Sequence, residues 1–217
     1  MTPMSVTMSP GADALAQAVA RLNARPLASS DFDLNPGYRP PPGRTLRPAA
    51  VLMAMTERPG TGLSVLLTKR ASGLRHHAGQ IALPGGKIDA GDADATAAAL
   101  REASEEVALA PSLVRVIGHL PTHETVTGYQ VTPILGLLDA PFIPEPERGE
   151  VEEAFFVPLA HLADPANYRV ERRRWLGQWR AYYTVPWGPY YIWGATARML
   201  RALAEGLQEQ REPWGRR

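Results

Sequence analysis

LREASEEVAL, residues 100–109, places Glu102, Glu105 and Glu106 within five positions. On a helix they stand at i, i+3 and i+4 and share one face. Like charges at that spacing repel by a few tenths of a kcal/mol per pair, so helix stability does not ask for them. Three carboxylates on one face make an oxygen-rich surface suited to Mg2+ or Mn2+. Arg101 lies about 100° round the helix from Glu102 but at i, i+4 from Glu105, where a salt bridge can orient a glutamate. A bare acidic run also reads as a solvated helix face, which is common. The residues upstream, LPGGKIDAGDAD (83–94), shift the balance. Gly85 and Gly86 allow a sharp turn and a close approach of backbone to a ligand. Asp92 or Asp94 can cap the helix, which is expected over 94–107.

Outward from that helix the pattern is mixed. Residues 11–25 are Ala-rich with Leu15, Val19 and Leu22 at helical spacing, and predict a short amphipathic helix. NPGYRPPPGRTLRP (35–48) is dense in proline and glycine and predicts an extended linker. Residues 49–55 and 63–68 are apolar and β-prone, and TERPGTG between them makes a hairpin. Further strands are expected at 80–83, 113–120, 129–138, 155–157, 168–175 and 181–185. Helices are expected at 159–162 and 195–207. Strands and helices without regular βαβ alternation point to an α+β layered domain.

Composition sets the outer bounds. The chain has 217 residues, 45% hydrophobic and 21% charged, which is enough for one domain with a real core. A net charge of +1 gives no reason to expect nucleic acid or a membrane surface as partner. There is no cysteine, so disulfides, thiolate metal sites and cysteine nucleophiles are excluded. The first ten residues lack a basic run followed by an apolar one, and no apolar run reaches the roughly 18 residues of a membrane span. The expectation is a cytoplasmic protein acting on a small molecule, with a homodimer left open.

GGKIDAGDADATAAALREASEEVAL (85–109) resembles the Nudix box, G-x5-E-x7-R-E-U-x-E-E-x-G-U, the signature of the Nudix hydrolases. Arg101, Glu102, Glu105 and Glu106 match its R-E-x-x-E-E portion. Asp92 stands where the first Glu is usual, eight residues rather than seven precede Arg101, and Ala103 is a small stand-in for the aliphatic. Ala108 replaces the glycine, which removes an easy left-handed helix end and predicts a different C-cap. A second stretch, LLTKRASGLRHHAGQIALPGG (66–86), resembles the L-L-T-x-R-(S/A)-x3-R-x3-G-x3-F-P-G-G motif of the coenzyme A pyrophosphatase subfamily. Ten positions match, from Leu66 to Gly86, and only Leu83 departs, for Phe. Segments 126–136, 150–162 and 191–200 are similar as well, so the likeness covers roughly 48–207.

The resemblance implies a Nudix-type α/β/α sandwich with a mixed central sheet over 48–210; the helix and Pro-rich linker expected over 1–47 lie outside it. It also implies hydrolysis of the diphosphate bond of coenzyme A, or of an acyl or oxidised form, to 3′,5′-ADP and 4′-phosphopantetheine. Two other readings stay open: a Nudix hydrolase for NADH or ADP-ribose, and a non-catalytic nucleotide-binding module. Glu102, Glu105 and Glu106 would hold Mg2+ or Mn2+, with Arg101 beside them and Glu150 as a further ligand or base. Lys69, Arg70, Arg75, Gly85, Gly86 and Lys87 would bind substrate; arginine grips phosphate bidentately. Glu152 and Glu153 are rivals to Glu150. His76 and His77, read as strand neighbours, point opposite ways, and His119, His123 and His161 read as structural or surface residues. Tyr129, Gln130, Trp187, Tyr190, Tyr191 and Trp193 suit either a pocket for adenine or pantetheine, or core packing.

Overall fold

The computed structural model describes residues 10–24, 28–38, 43–175 and 177–208. In chain order the elements are α1 (Pro10–Ala24), β1 (Ser29–Ser30), β2 (Arg47–Arg58), β3 (Gly62–Arg70), β4 (Ile81–Ala82), β5 (Gly85–Lys87) and α2 (Ala95–Val107). Then follow β6 (Val114–His119), β7 (His123–Glu124), β8 (Tyr129–Leu138), β9 (Val151–Pro158), α3 (Leu159–Leu162), β10 (Arg169–Trp175), β11 (Gln178–Thr184) and α4 (Gly194–Gln208). Residues 39–42 of the proline-rich stretch, and 209–210 at the end of the expected domain, lie outside the described residues.

The central sheet runs β1-β7-β8-β2-β3-β4, with β5 on β2, β6 on β8 and β9 on β3. β2 and β8 are parallel over nine register pairs, and β1 and β7 are parallel too. The remaining pairs are antiparallel, so the sheet is mixed. β10 and β11 form a separate hairpin.

Period-two alternation along the central strands divides the core into two layers. On one face Ala50, Leu52, Ala54, Leu66 and Ile134 pack against Ala98, Ala99, Ala103 and Val107 of α2. On the other, Met53, Met55, Val65, Leu67 and Leu135 share a cluster with Leu15 and Val19 of α1 and Leu200 and Leu203 of α4. Complete burial of a leucine such as Leu66 or Leu67 contributes about 2 kcal/mol. Helices on both faces of a mixed sheet make the α/β/α sandwich of the α+β class. The N-terminal helix belongs to the same core as the sheet. Val19 lies over Gly118, where a Cβ would meet its Cγ1 at 2.8 Å, and Leu22 lies over Gly206.

Candidate active site

Helix α2 begins at Asp94, whose side chain accepts from the Ala97 N–H at 2.8 Å. Its buried stripe is alanine, which lets the helix sit close on the sheet. That stripe explains a graded exposure of the three glutamates. Glu106 follows Ala99 and Ala103 at helical spacing and is carried under the helix, its side chain 3% exposed. Glu102 follows Ala98 and is 17% exposed, while Glu105 points outward at 59%.

The end of α2 corrects the expected cap. Ala108 adopts the left-handed conformation (φ 58°, ψ 29°) despite its Cβ. That conformation costs about 1–2 kcal/mol. It is offset by hydrogen bonds from the Ala108 N–H to Ser104 O and from the Leu109 N–H to Ala103 O. The loop before β9 closes the remaining carbonyls: Glu145 N–H donates to Val107 O, and Glu147 N–H to Glu106 O.

The two glycines sit where a side chain would collide, with backbone at Gly85 and with the Glu102 carboxylate at Gly86. A Cβ on Gly86 would stand 2.5 Å from the Glu102 carboxylate carbon. Gly85 has φ 153°, and a Cβ there would meet the Ala50 carbonyl oxygen at 2.3 Å. The Gly85 N–H donates to Glu106 Oε2 at 3.3 Å.

Two guanidinium groups organise the carboxylates. Arg101 grips Asp92 bidentately, Nε to Oδ1 at 2.9 Å and Nη2 to Oδ2 at 3.0 Å. Its Nη1 reaches Glu102 at 3.1 Å and Glu105 at 3.0 Å. Asp92 therefore anchors Arg101 in spite of the extra residue before it. The Arg101 hydrogen bond holds the Asp92 carboxyl below its ordinary range. Arg70 faces Glu106 at 3.6 Å. Burial nevertheless pushes Glu106 up to about 7, because Glu102 and Glu150 repel its charge and Arg70 and the Gly85 N–H offset only part of the cost. Glu102 is also raised, first by burial, with Glu105 and Glu150 adding to it against Arg101.

Glu150 therefore lies within electrostatic reach of both Glu102 and Glu106. Its backbone is tied to the end of β3 by the Ala71 N–H, which donates to Glu150 O at 2.8 Å. Glu152 and Glu153 are directed elsewhere, to the Lys69 ammonium at 2.6 Å and to the Tyr190 hydroxyl. Among the described residues no three His, Asp or Glu side chains converge in metal-ligating geometry; the α2 carboxylates turn to Arg101 and Arg70 instead. The donor set still fits a hard divalent cation: oxygen ligands only, crowded enough to raise one another's proton affinity.

The other sequence expectations divide. Lys69 and Arg70 leave β3 on opposite sides, and only Arg70 meets α2. Arg75 and Lys87 are exposed, and the Lys87 carbonyl accepts from Arg101. His76 and His77 do not form a strand: they lie in the loop between β3 and β4, with His77 left-handed at φ 59°. His161 contacts the Pro186 carbonyl and the Trp187 ring. His123 is fully buried between Ser29 and Asp31, an arrangement no local pattern announces. Tyr129 packs under Arg47. Tyr190, Tyr191 and Trp193 line a cleft of about 650 Å³ together with Lys69, Gln80 and Glu153.

Comparison with known proteins bears on the family and the fold. Residues 45–179 match the NUDIX domain. A protein of Escherichia coli (strain K12), named an uncharacterized Nudix hydrolase NudL, is 46% identical over 161 residues, 73% of this chain and 81% of its own length. The protein of the same name from Cronobacter sakazakii is 44% identical over 167 residues, 76% of this chain and 84% of its own. Among solved structures, a Nudix hydrolase from M. smegmatis, RenU, superposes with a TM-score of 0.52 at 23% identity, covering 80% of this chain and 91% of its own. That likeness bears on the fold alone. On the domain match and these relatives, the chain belongs to the Nudix family and is one of its hydrolases.

Proposed function

We propose that the chain hydrolyses the diphosphate bond of coenzyme A, free or as an acyl or oxidised form, giving 3′,5′-ADP and 4′-phosphopantetheine. One observation carries the reading. The stretch 66–86 that resembles the coenzyme A pyrophosphatase motif runs from β3 to β5 and contributes both Arg70 on Glu106 and the glycines against Glu102 and Glu106.

Glu102, Glu105 and Glu106 would hold Mg2+ or Mn2+. The ion supplies charge neutralisation for the diphosphate and acidifies water. The rest falls to the chain's own groups. Glu102 or Glu150 takes the proton of the attacking water. That water forms a new P–O bond, and the P–O–P bridge breaks toward the other phosphate. Arg101, fixed by Asp92, keeps Glu102 and Glu105 in position and does not touch substrate. Arg70, Arg75, Lys69 and Lys87 bind the phosphates, and Gly85 and Gly86 let the backbone approach them.

The test is product analysis of purified protein with coenzyme A and Mg2+ or Mn2+, beside a Glu105→Gln variant, with NADH and ADP-ribose as alternative substrates. The two named products should form with the wild type and fall sharply with the variant. Cleavage of NADH or ADP-ribose alone would sink the coenzyme A assignment. No cleavage with either metal would favour a nucleotide-binding module without activity.

A further inference from the structure

The hairpin of β10 and β11 stands apart from the central sheet, and its two faces differ. Residues directly opposite in an antiparallel pair share a face. One face carries Glu171, Arg173, Arg180 and Tyr182, and it is covered: Glu171 accepts from the Tyr191 hydroxyl, Arg173 lies over Trp193, and Arg180 lies over Phe32 and Tyr38. The other face carries Val170, Arg172 and Arg174 along β10, with Trp179 directly opposite Arg174, and it is open. Trp179 is 65% exposed and Val170 52%. Arg172 and Arg174 are exposed and have no hydrogen bond or ion pair among the described residues. An exposed tryptophan beside two unpaired guanidinium groups is a surface suited to a partner that is both apolar and anionic.

The chain carries a segment of that character. Residues 141–147, PFIPEPE, run between β8 and β9 outside any helix or strand, and exposed and half-buried positions alternate along them. Phe142 packs against the α2 layer, while Ile143, Glu145 and Glu147 are exposed. Ile143 is 85% exposed, the most open large apolar side chain among the described residues. The Glu145 side chain has no hydrogen bond or ion pair among those residues, and the Glu147 carboxylate accepts only from the nearby Gly149 and Glu150 N–H groups. Pro141, Pro144 and Pro146 each fix their own φ at about −65°, so the segment is stiff. It is also anchored, because the Glu145 and Glu147 N–H groups donate to the carbonyls of Val107 and Glu106 at the end of α2.

The two surfaces complement each other and neither complements itself. Ile143 offers an apolar knob to Trp179 and Val170, and Glu145 and Glu147 offer carboxylates to Arg172 and Arg174. Two hairpin faces would set arginine against arginine, and two acidic segments carboxylate against carboxylate. Stiff proline-rich segments dock on aromatic surfaces at low cost in ordering. The three most open large apolar side chains among the described residues, Ile143, Trp179 and Val170, are all covered by this one contact.

We propose that two copies of this chain associate through these surfaces, the β10–β11 hairpin of each seated on residues 141–147 of the other. A two-fold pair makes both contacts at once. The clasped segment is tied to the Glu106 carbonyl, so each hairpin reaches the C-terminal end of the other copy's carboxylate helix. The inference is independent of which diphosphate the chain cleaves.

The experiment is sedimentation velocity on the full chain across a concentration series, at low and high salt. The wild type should dimerise, and added salt should weaken the dimer. R172E/R174E reverses the charge of the hairpin face, and E145R that of the segment. Each variant alone sets like charges opposite one another in both contacts and should dimerise at least about thirtyfold more weakly. Mixed one to one, the two variants should form a heterodimer, because one contact is then wild type and the other has both charges exchanged. Trp179→Ala should weaken association by at least about tenfold while its Tm stays within about 3 °C of wild type. A wild type that stays monomeric at low salt overturns the proposal, as does a dimer indifferent to these substitutions. So do charge variants that melt like the wild type yet remain monomeric when mixed.

Discussion

Replacing Glu106 by glutamine should stabilise the metal-free protein above neutral pH while destroying its activity. Glu106 is almost wholly buried, and burial moves its pKa from an ordinary 4.5 to about 7. Between those values the folded state holds a proton that the unfolded state has released, so stability falls as pH rises through this window. At about 1.4 kcal/mol per pH unit, the full loss above pH 7 amounts to about 3 kcal/mol. Glutamine keeps the volume and can still accept from the Gly85 N–H, but it gives up the attraction of Arg70 at 3.6 Å. The expected net gain at pH 8 is about 1–3 kcal/mol, or a rise in Tm of about 2–10 °C for a chain of this size. Thermal unfolding in a chelator from pH 4.5 to 9 reads it directly. The two proteins should converge toward pH 4.5 and separate as pH rises. A glutamine variant less stable than wild type at pH 8, or a gap independent of pH, would refute the account of Glu106 as a destabilised anion. Added Mg2+ should raise the wild type's Tm and leave the variant's nearly unchanged.

Gly86→Ala sets a methyl 2.5 Å from the Glu102 carboxylate, a flexible end that can swing away. Its Tm should move by less than about 3 °C while kcat/KM drops on the order of a hundredfold, read from Michaelis curves beside melting curves. Asp31→Asn weakens the buried link to His123 and the bond from the Val126 N–H at 2.8 Å. A loss of about 1–3 kcal/mol at pH 7 is expected in urea unfolding. Burial alone would raise the Asp31 carboxyl, but His123 and the Val126 N–H hold it below 3.8. The Asp31 contribution is therefore complete above pH 4 and disappears as pH falls through the folded value. A difference that persists unchanged at pH 2 would contradict this.

Much of the frame was legible because it follows local periodicity. The apolar run at 129–138, buried on both faces of the sheet, and the helical spacing at 94–107 are each decided by which side chains face a core. Glu102, Glu105 and Glu106 were legible as a set, yet their unequal burial depends on alanines pressing α2 to the sheet, a tertiary fact. Ala108 defeats the helix-end rule because hydrogen bonds outweigh its intrinsic cost. β1 and β7 have two residues each and exist through the Ser29–His123–Asp31 contact, between groups more than ninety positions apart. The cleft likewise joins 78–81 to 189–193, and no window of sequence contains both.

The seating of α1 against α4 also bears on how the chain is made. Ala12, Leu15 and Val19 share a core with Leu200 and Leu203, and Leu22 fills the space that Gly206 leaves open. Gly194 leaves the ribosome about 170 residues after Ala24, roughly 10–30 s later at 5–20 residues per second. For that interval the first helix can be covered only by the sheet, where Val19 meets Gly118, and the part of its apolar stripe that α4 covers stays bare. It is then a client for a chaperone, a target for a protease, and a handle by which a nascent chain can meet its neighbour on the same message.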